Sequence, residues 1–171
     1  MLKHFVLKVP RDSEVTPEAT QTFLSSLAQL NPASVLGKLL GQSSKSLALE
    51  IVLNNQQITF QVVCDAEFEN LVKTQIQSNY PLSVIEEIPD PIPQENITVL
   101  KAKLKYGNFY PIQTYDTFRD VDPLSSFLSI FSKTTPSDFL ILQYCFESVS
   151  SSWQVQGKQY AQKGTKNTNG S

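Results

Sequence analysis

The side chains that could carry chemistry in this chain are few and widely spaced. His4 is the single histidine in 171 residues, so any Ser-His-Asp or Cys-His mechanism would have to be built on it. It stands in an alternating stretch, with Phe5, Leu7 and Val9 on one side and His4, Val6 and Lys8 on the other, where a structural strand histidine is the simpler expectation. Cys64 and Cys145 are the only cysteines. Both occupy apolar, strand-like contexts, so two buried thiols are expected and no disulfide is required. A metal site needs several His, Cys or carboxylate ligands converging, and no such spacing occurs, so neither metal nor cofactor is expected. There is no Ser-x-x-Lys, and the six glycines never form G-x-x-x-x-G-K-[ST] or G-x-G-x-x-G, the spacings that cradle phosphate on backbone amides. Glu86-Glu87 and Asp120/Asp122 are paired acids, but the turn and proline signals around them point to solvated loops. Catalysis is therefore not expected, and a site assembled only on oligomerisation is the lesser alternative.

Binding is better represented. Lys101, Lys103 and Lys105 stand beside Tyr106, Phe109 and Tyr110, and basic residues interleaved with aromatics can serve a single nucleic-acid strand as charge track and stacking platform. An edge strand guarded by lysines, with its aromatics packed between subdomains, is the structural alternative. Phe5 and Phe60 could stack bases in the manner of RNA-binding sheets. Each, however, is in phase with aliphatics expected to face helices, and the Lys-Gly-Phe-Gly-Phe-type signature is missing from 56–63.

The elements that must position these residues follow from periodicity. Strands are expected over 4–9, 47–53, 58–62 and 82–88. Thr16-Pro17-Glu18 opens a helix carrying Phe23, Leu24, Leu27 and Leu30, ended by Asn31-Pro32. A loop with one possible helical turn fills 33–45. Asn54-Asn55 suits a tight turn between strands. Asp65 is placed to cap a second helix bearing Phe68, Leu71, Val72 and Ile76, and Tyr80-Pro81 breaks it. The order β-α-β-β-α-β is that of a ferredoxin-like unit, so the fold class is α+β. Pro89-Asp90-Pro91-Ile92-Pro93 reads as a semi-rigid connector.

Beyond it, a strand over 97–105, a helix opened by Asp122-Pro123, a strand over 139–146 and a helix capped from 150–152 suggest a second, partial β-α-β-α unit. The expected division is thus 1–88 as a ferredoxin-like subdomain and 89–95 as connector. A second α+β subdomain covers 96–162, and 163–171 is a polar, disordered tail.

Composition fits a soluble α+β globule, with 40% hydrophobic and 18% charged residues. No apolar run approaches the roughly 20 residues that span a bilayer, and no signal-peptide block is seen at the start. Charge is uneven: residues 1–95 hold 6 Lys/Arg against 11 Asp/Glu, while 96–171 hold 8 against 5. A polyanion should prefer the second half.

A wider resemblance rests on Val9-Pro10-Arg11-Asp12, Glu14 and Thr16-Pro17-Glu18-Ala19, then Tyr80-Pro81. It continues through Tyr110-Pro111-Ile112-Gln113-Thr114-Tyr115, Phe118, Asp122-Pro123-Leu124, Trp153-Gln154 and Gly157. From about Lys3 to Tyr160 the chain resembles an N-terminal accessory domain of type IV secretion, or conjugative DNA-transfer, ATPase proteins of Gram-positive and candidate-phylum bacteria. In such proteins the region tends to follow a membrane anchor and precede a P-loop ATPase domain. Neither is present here, so the resemblance implies a fragment or a stand-alone relative that does not hydrolyse ATP by itself. It further implies a cytoplasmic location at the inner face of the cell membrane and a non-catalytic adaptor role, with other subunits of the transfer complex as partners. A homo-oligomer formed through an open sheet edge is a further expectation. A single-stranded nucleic-acid-binding module using the Lys101–Tyr110 surface is the alternative.

Overall fold

The computed structural model describes residues 1–27, 46–103, 105–106, 109–110, 124–147 and 152–167. Contacts divide the chain into two compact units, residues 1–92 with 120–148 and residues 93–119 with 149–171.

The first unit is an antiparallel sheet with helices. Its strands are β1 (Leu2–Lys8), β2 (Ser46–Asn54), β3 (Gln57–Asp65), β4 (Val84–Ile88) and β5 (Phe139–Glu147). They lie in the order β4-β1-β3-β2-β5, and every neighbouring pair is antiparallel. Helix α1 spans Pro17–Leu27, α2 spans Glu69–Asn79 and α3 spans Ser125–Phe131. The architecture is therefore α+β.

One sheet face carries the main core. Phe5, Leu47, Val62 and Cys64 pack with Phe23 of α1 and with Val72 and Ile76 of α2. Strand alternation brings the sheet residues to this face, and spacings of three and four bring the helix residues to meet them. Burying a side chain such as Phe5 stabilises by about 1.5–3 kcal/mol before packing is counted. Lys73 adds to the seal, its Nζ 4.6 Å from the centroid of the Phe5 ring and 2.6 Å from Glu69 one turn back. The Thr20 and Tyr80 hydroxyls, 2.6 Å apart, tie α1 to the end of α2.

Several local expectations shift by a residue or more. The β2–β3 turn is centred on Asn55 and Gln56, at φ 48° and 58°, with Asn54 opposite Gln57. Two consecutive left-handed residues match the twist of a hairpin, and asparagine tolerates the first of them. Asp65 makes no side-chain capping bond. The chain instead passes through a 3₁₀ turn, Ala66–Phe68, before α2 begins. Phe5 is fully buried, whereas Phe60 is 53% exposed. Cys64 is buried as expected, but Cys145 is exposed. Leu30, the end at Asn31-Pro32, the turn within 33–45 and the Asp122-Pro123 start lie outside the described residues.

The second half departs further. Residues 97–103 form no strand; the apparent alternation of Val99 with the lysines is a feature of composition alone. The strand over 139–147 does not nucleate a second sheet but pairs with β2 along its whole length. Its apolar side chains find the existing core edge, which a lone two-stranded unit could not supply. Among the described residues no separate β-α-β-α unit is thus formed. In the second unit, helix α4 runs from Ser152 to Asn167, past Lys163, where a disordered tail was expected. Among the described residues no helix is long and apolar enough to cross a membrane.

Candidate functional site

The most distinctive surface is the outer edge of β5. Register places Leu140, Leu142, Tyr144 and Phe146 opposite Leu53, Ile51, Leu49 and Leu47, on the face that α1 and α2 cover. Ile141, Gln143 and Cys145 lie opposite Val52, Glu50 and Ala48 on the other face. One side of β5 is occupied by β2, and its other side pairs with no described strand. Alternate backbone amides and carbonyls on that side therefore point out of the sheet. Tyr144 and Phe146 remain 48% and 38% exposed. The strand contains no lysine and no proline, and Glu147 at its end is its only formally charged residue.

The loop entering β5 is firmly closed. Asp138 accepts from the Thr135 backbone N–H at 2.7 Å and from the Thr135 hydroxyl at 2.9 Å. These bonds, the backbone one first, hold the Asp138 carboxyl below the usual aspartate range. Gln56 of the β2–β3 turn donates to the Thr134 carbonyl at 3.1 Å.

On the face away from α1 and α2 runs a row of buried polar side chains that periodicity did not reveal. Glu50, Gln61 and His4 are 3%, 4% and 8% exposed. Glu50 sits opposite Gln61 across the β2–β3 pair and opposite Gln143 across the β2–β5 pair. Gln143 Nε2 donates to Glu50 Oε1 at 2.6 Å, and Gln61 Nε2 donates to Thr59 Oγ1 at 3.1 Å. Glu50 Oε2, Gln61 Oε1 and His4 Nδ1 meet no partner among the described residues. His4 Nε2 is 3.9 Å from Asp90 Oδ2. The signal available in the sequence was a single acid within Leu47–Leu53, which alternation alone would assign to solvent. Among the described residues no three His, Cys, Asp or Glu side chains gather as metal ligands.

The Lys/aromatic surface falls in the second unit. Lys101 and Lys103 are exposed on irregular chain, so no strand aligns them. Lys105 Nζ is 5.5 Å from the Tyr106 ring centroid, and Tyr106 is 62% exposed. Phe109 stacks on Tyr110 at 4.9 Å and tilts against Tyr160 of α4 at 5.2 Å. Tyr106 and Tyr160 each approach Tyr110 at 5.4 Å. The hydrogen bond between the Tyr110 and Tyr160 hydroxyls pushes the Tyr110 pKa up. Gly157 permits this packing, since a Cβ there would lie 3.0 Å from Phe109 Cβ. Phe109 and Tyr110 thus meet other rings, and Tyr106 is the most exposed ring of the group.

The division into units sharpens the charge asymmetry. Residues 93–119 with 149–171 hold seven Lys/Arg against two Asp/Glu, a net of +5; the first unit holds seven against fourteen, a net of −7.

A protein family described as "Domain of unknown function (DUF8128)" matches residues 3–170. No curated protein and no solved structure matches the chain.

Proposed function

We infer that this chain, which belongs to the DUF8128 family, is a non-catalytic interaction domain that docks partner proteins by adding a strand to its sheet. The observation that carries this reading is the outer β5 edge, nine residues long, largely apolar and paired with no described strand. Main-chain bonding along such an edge gives affinity, and the flanking side chains give selectivity. The strands β4-β1-β3-β2, taken with the chain order β-α-β-β-α-β, are read as a ferredoxin-like unit to which β5 is added. The resemblance to accessory domains of conjugative ATPase proteins supplies the setting: an adaptor beside a P-loop motor, at the cytoplasmic face of the cell membrane. The test is deletion of the domain from its native apparatus. Loss of complex assembly and DNA transfer is expected; unchanged transfer overturns the reading.

A second reading is favoured by the net charge of +5 on the second unit. Lys101, Lys103 and Lys105 with Tyr106 would hold a single nucleic-acid strand mainly by its phosphates. Titration of a labelled oligonucleotide at two salt concentrations tests it. Binding that weakens with salt and with Lys101→Ala/Lys103→Ala supports it, and no binding at low salt removes it.

A further inference from the structure

We propose that the β5 edge is occupied by the β5 of a second copy of this chain, running antiparallel, so that two five-stranded sheets become one of ten strands. The inference rests on the reading of β5 as a docking edge and names what docks there. Its first support is the pattern of the strand itself. Centred on Gln143, a twofold axis sets Leu142 opposite the partner's Tyr144 and Leu140 opposite the partner's Phe146. It also sets Ile141 opposite the partner's Cys145. Apolar residues therefore meet apolar residues at each of these positions, and the half-exposed rings of Tyr144 and Phe146 gain cross-strand neighbours.

The second support is charge. Phe139–Glu147 contains one formally charged residue, and this register sets Glu147 opposite the partner's Phe139. No like charges oppose each other within the paired strands, and a basic partner strand would find little to answer it along the edge. The third is symmetry. An isologous contact uses one patch twice and closes on itself, which is the commonest route to a soluble oligomer. Both strands are nine residues long, so the pairing satisfies the outward amides and carbonyls of both copies together.

The experiment uses the whole chain. Light scattering over a concentration series should give twice the chain mass of 19.1 kDa. Tyr144→Lys, which installs the charge that natural edges use against pairing, should weaken association by about tenfold or more. Circular dichroism confirms that this variant is folded. Ile141→Cys supplies a second measurement that does not depend on its folding. Opposed residues of an antiparallel pair lie about 4.5–5.5 Å apart at Cα, within disulfide reach. Mild oxidation should therefore link Cys145 of each copy to the new cysteine of the other. Adding Cys145→Ser should abolish the link, which also fixes the register. A mass of one chain throughout, with no disulfide-linked dimer on oxidation, overturns the proposal. If Tyr144→Lys still abolishes DNA transfer in that case, the edge serves another protein. Self-pairing then falls while the adaptor reading stands.

Discussion

At one border of the sheet β4 is five residues long, is flanked by Pro81 and Pro89, and carries two adjacent glutamates. Glu87 is held by Lys3, and Glu86 by Lys8 at 2.5 Å. At the other border β5 is nine residues long and has no proline, no lysine and no ion pair within its described side chains. The first edge has the devices that keep sheets from joining: shortness, charge and proline. The second is longer and carries a single formal charge, Glu147 at its end, although Pro136 precedes it at the same distance as Pro81 precedes β4. Both flank one antiparallel sheet, so sheet geometry does not account for the contrast. An edge without protection is an aggregation hazard unless something covers it, which is why its composition points to a partner.

The largest effect expected is on what the two edges share. Phe5 is fully buried beneath both helices, and Phe5→Ala should cost about 3–5 kcal/mol. Its position on β1, paired with β4 on one side and β3 on the other, makes the loss common to the sheet. Urea unfolding followed by far-UV and near-UV signals should show one transition moved to lower denaturant. Two separated transitions would mean that the edges are held independently, and the comparison would lose its common base.

Next in size is the attachment of β5 itself. Gln143 satisfies one oxygen of the buried Glu50 carboxylate. Gln143→Leu should cost about 1–3 kcal/mol, because the acceptor stays buried without its donor. Gln143→Leu combined with Glu50→Leu should recover most of that loss, since a well-packed apolar pair replaces both polar partners. The double-mutant cycle reads the coupling directly. Additive losses would show that the 2.6 Å bond does not anchor the open edge.

Much of the frame was legible from periodicity, and the failures have physical causes. Strands β1 to β4 and both core helices announced themselves because each buries one face against one core. That leaves a period of two or of 3.6 in the sequence. The range of β5 was equally plain, yet its place was not, because pairing partners depend on the sheet and leave no trace within the strand. The segment 97–103 shows the reverse error: Val99, Lys101 and Lys103 alternate without a ladder to hold them. Of the surface read from sequence, Tyr106, Phe109 and Tyr110 do come together, since aromatic side chains seek one another wherever the backbone allows. The buried row of His4, Gln61 and Glu50 was hidden because alternation assigns polar residues to solvent and cannot tell that a face is covered.

The smallest effect separates the two edges by pH. Lys3 at the β4 edge has its pKa raised, chiefly by the hydrogen bond to Glu87. Its contribution is complete below the unfolded value of about 10.4 and is lost as pH climbs through the raised folded value. Asp138 at the entrance to β5 has its pKa lowered by Thr135. Its contribution is present above the unfolded value of about 3.9 and is lost as pH falls through the depressed folded value. Melting temperatures of the wild type, Lys3→Ala and Asp138→Ala should be compared across the pH range. From neutral pH towards 12, the deficit of Lys3→Ala should shrink while that of Asp138→Ala persists, as that carboxylate stays ionised. As pH falls through that depressed folded value, the Asp138→Ala deficit should shrink. Burial pushes the Cys64 thiol up to about 11, so alkali destabilises all three proteins above the unfolded thiol pKa, and that loss cancels in the differences. Two deficits that survive together at the alkaline limit would mean that the Lys3–Glu87 pair does not hold the β4 edge. The charge at that border would then serve only to repel other strands.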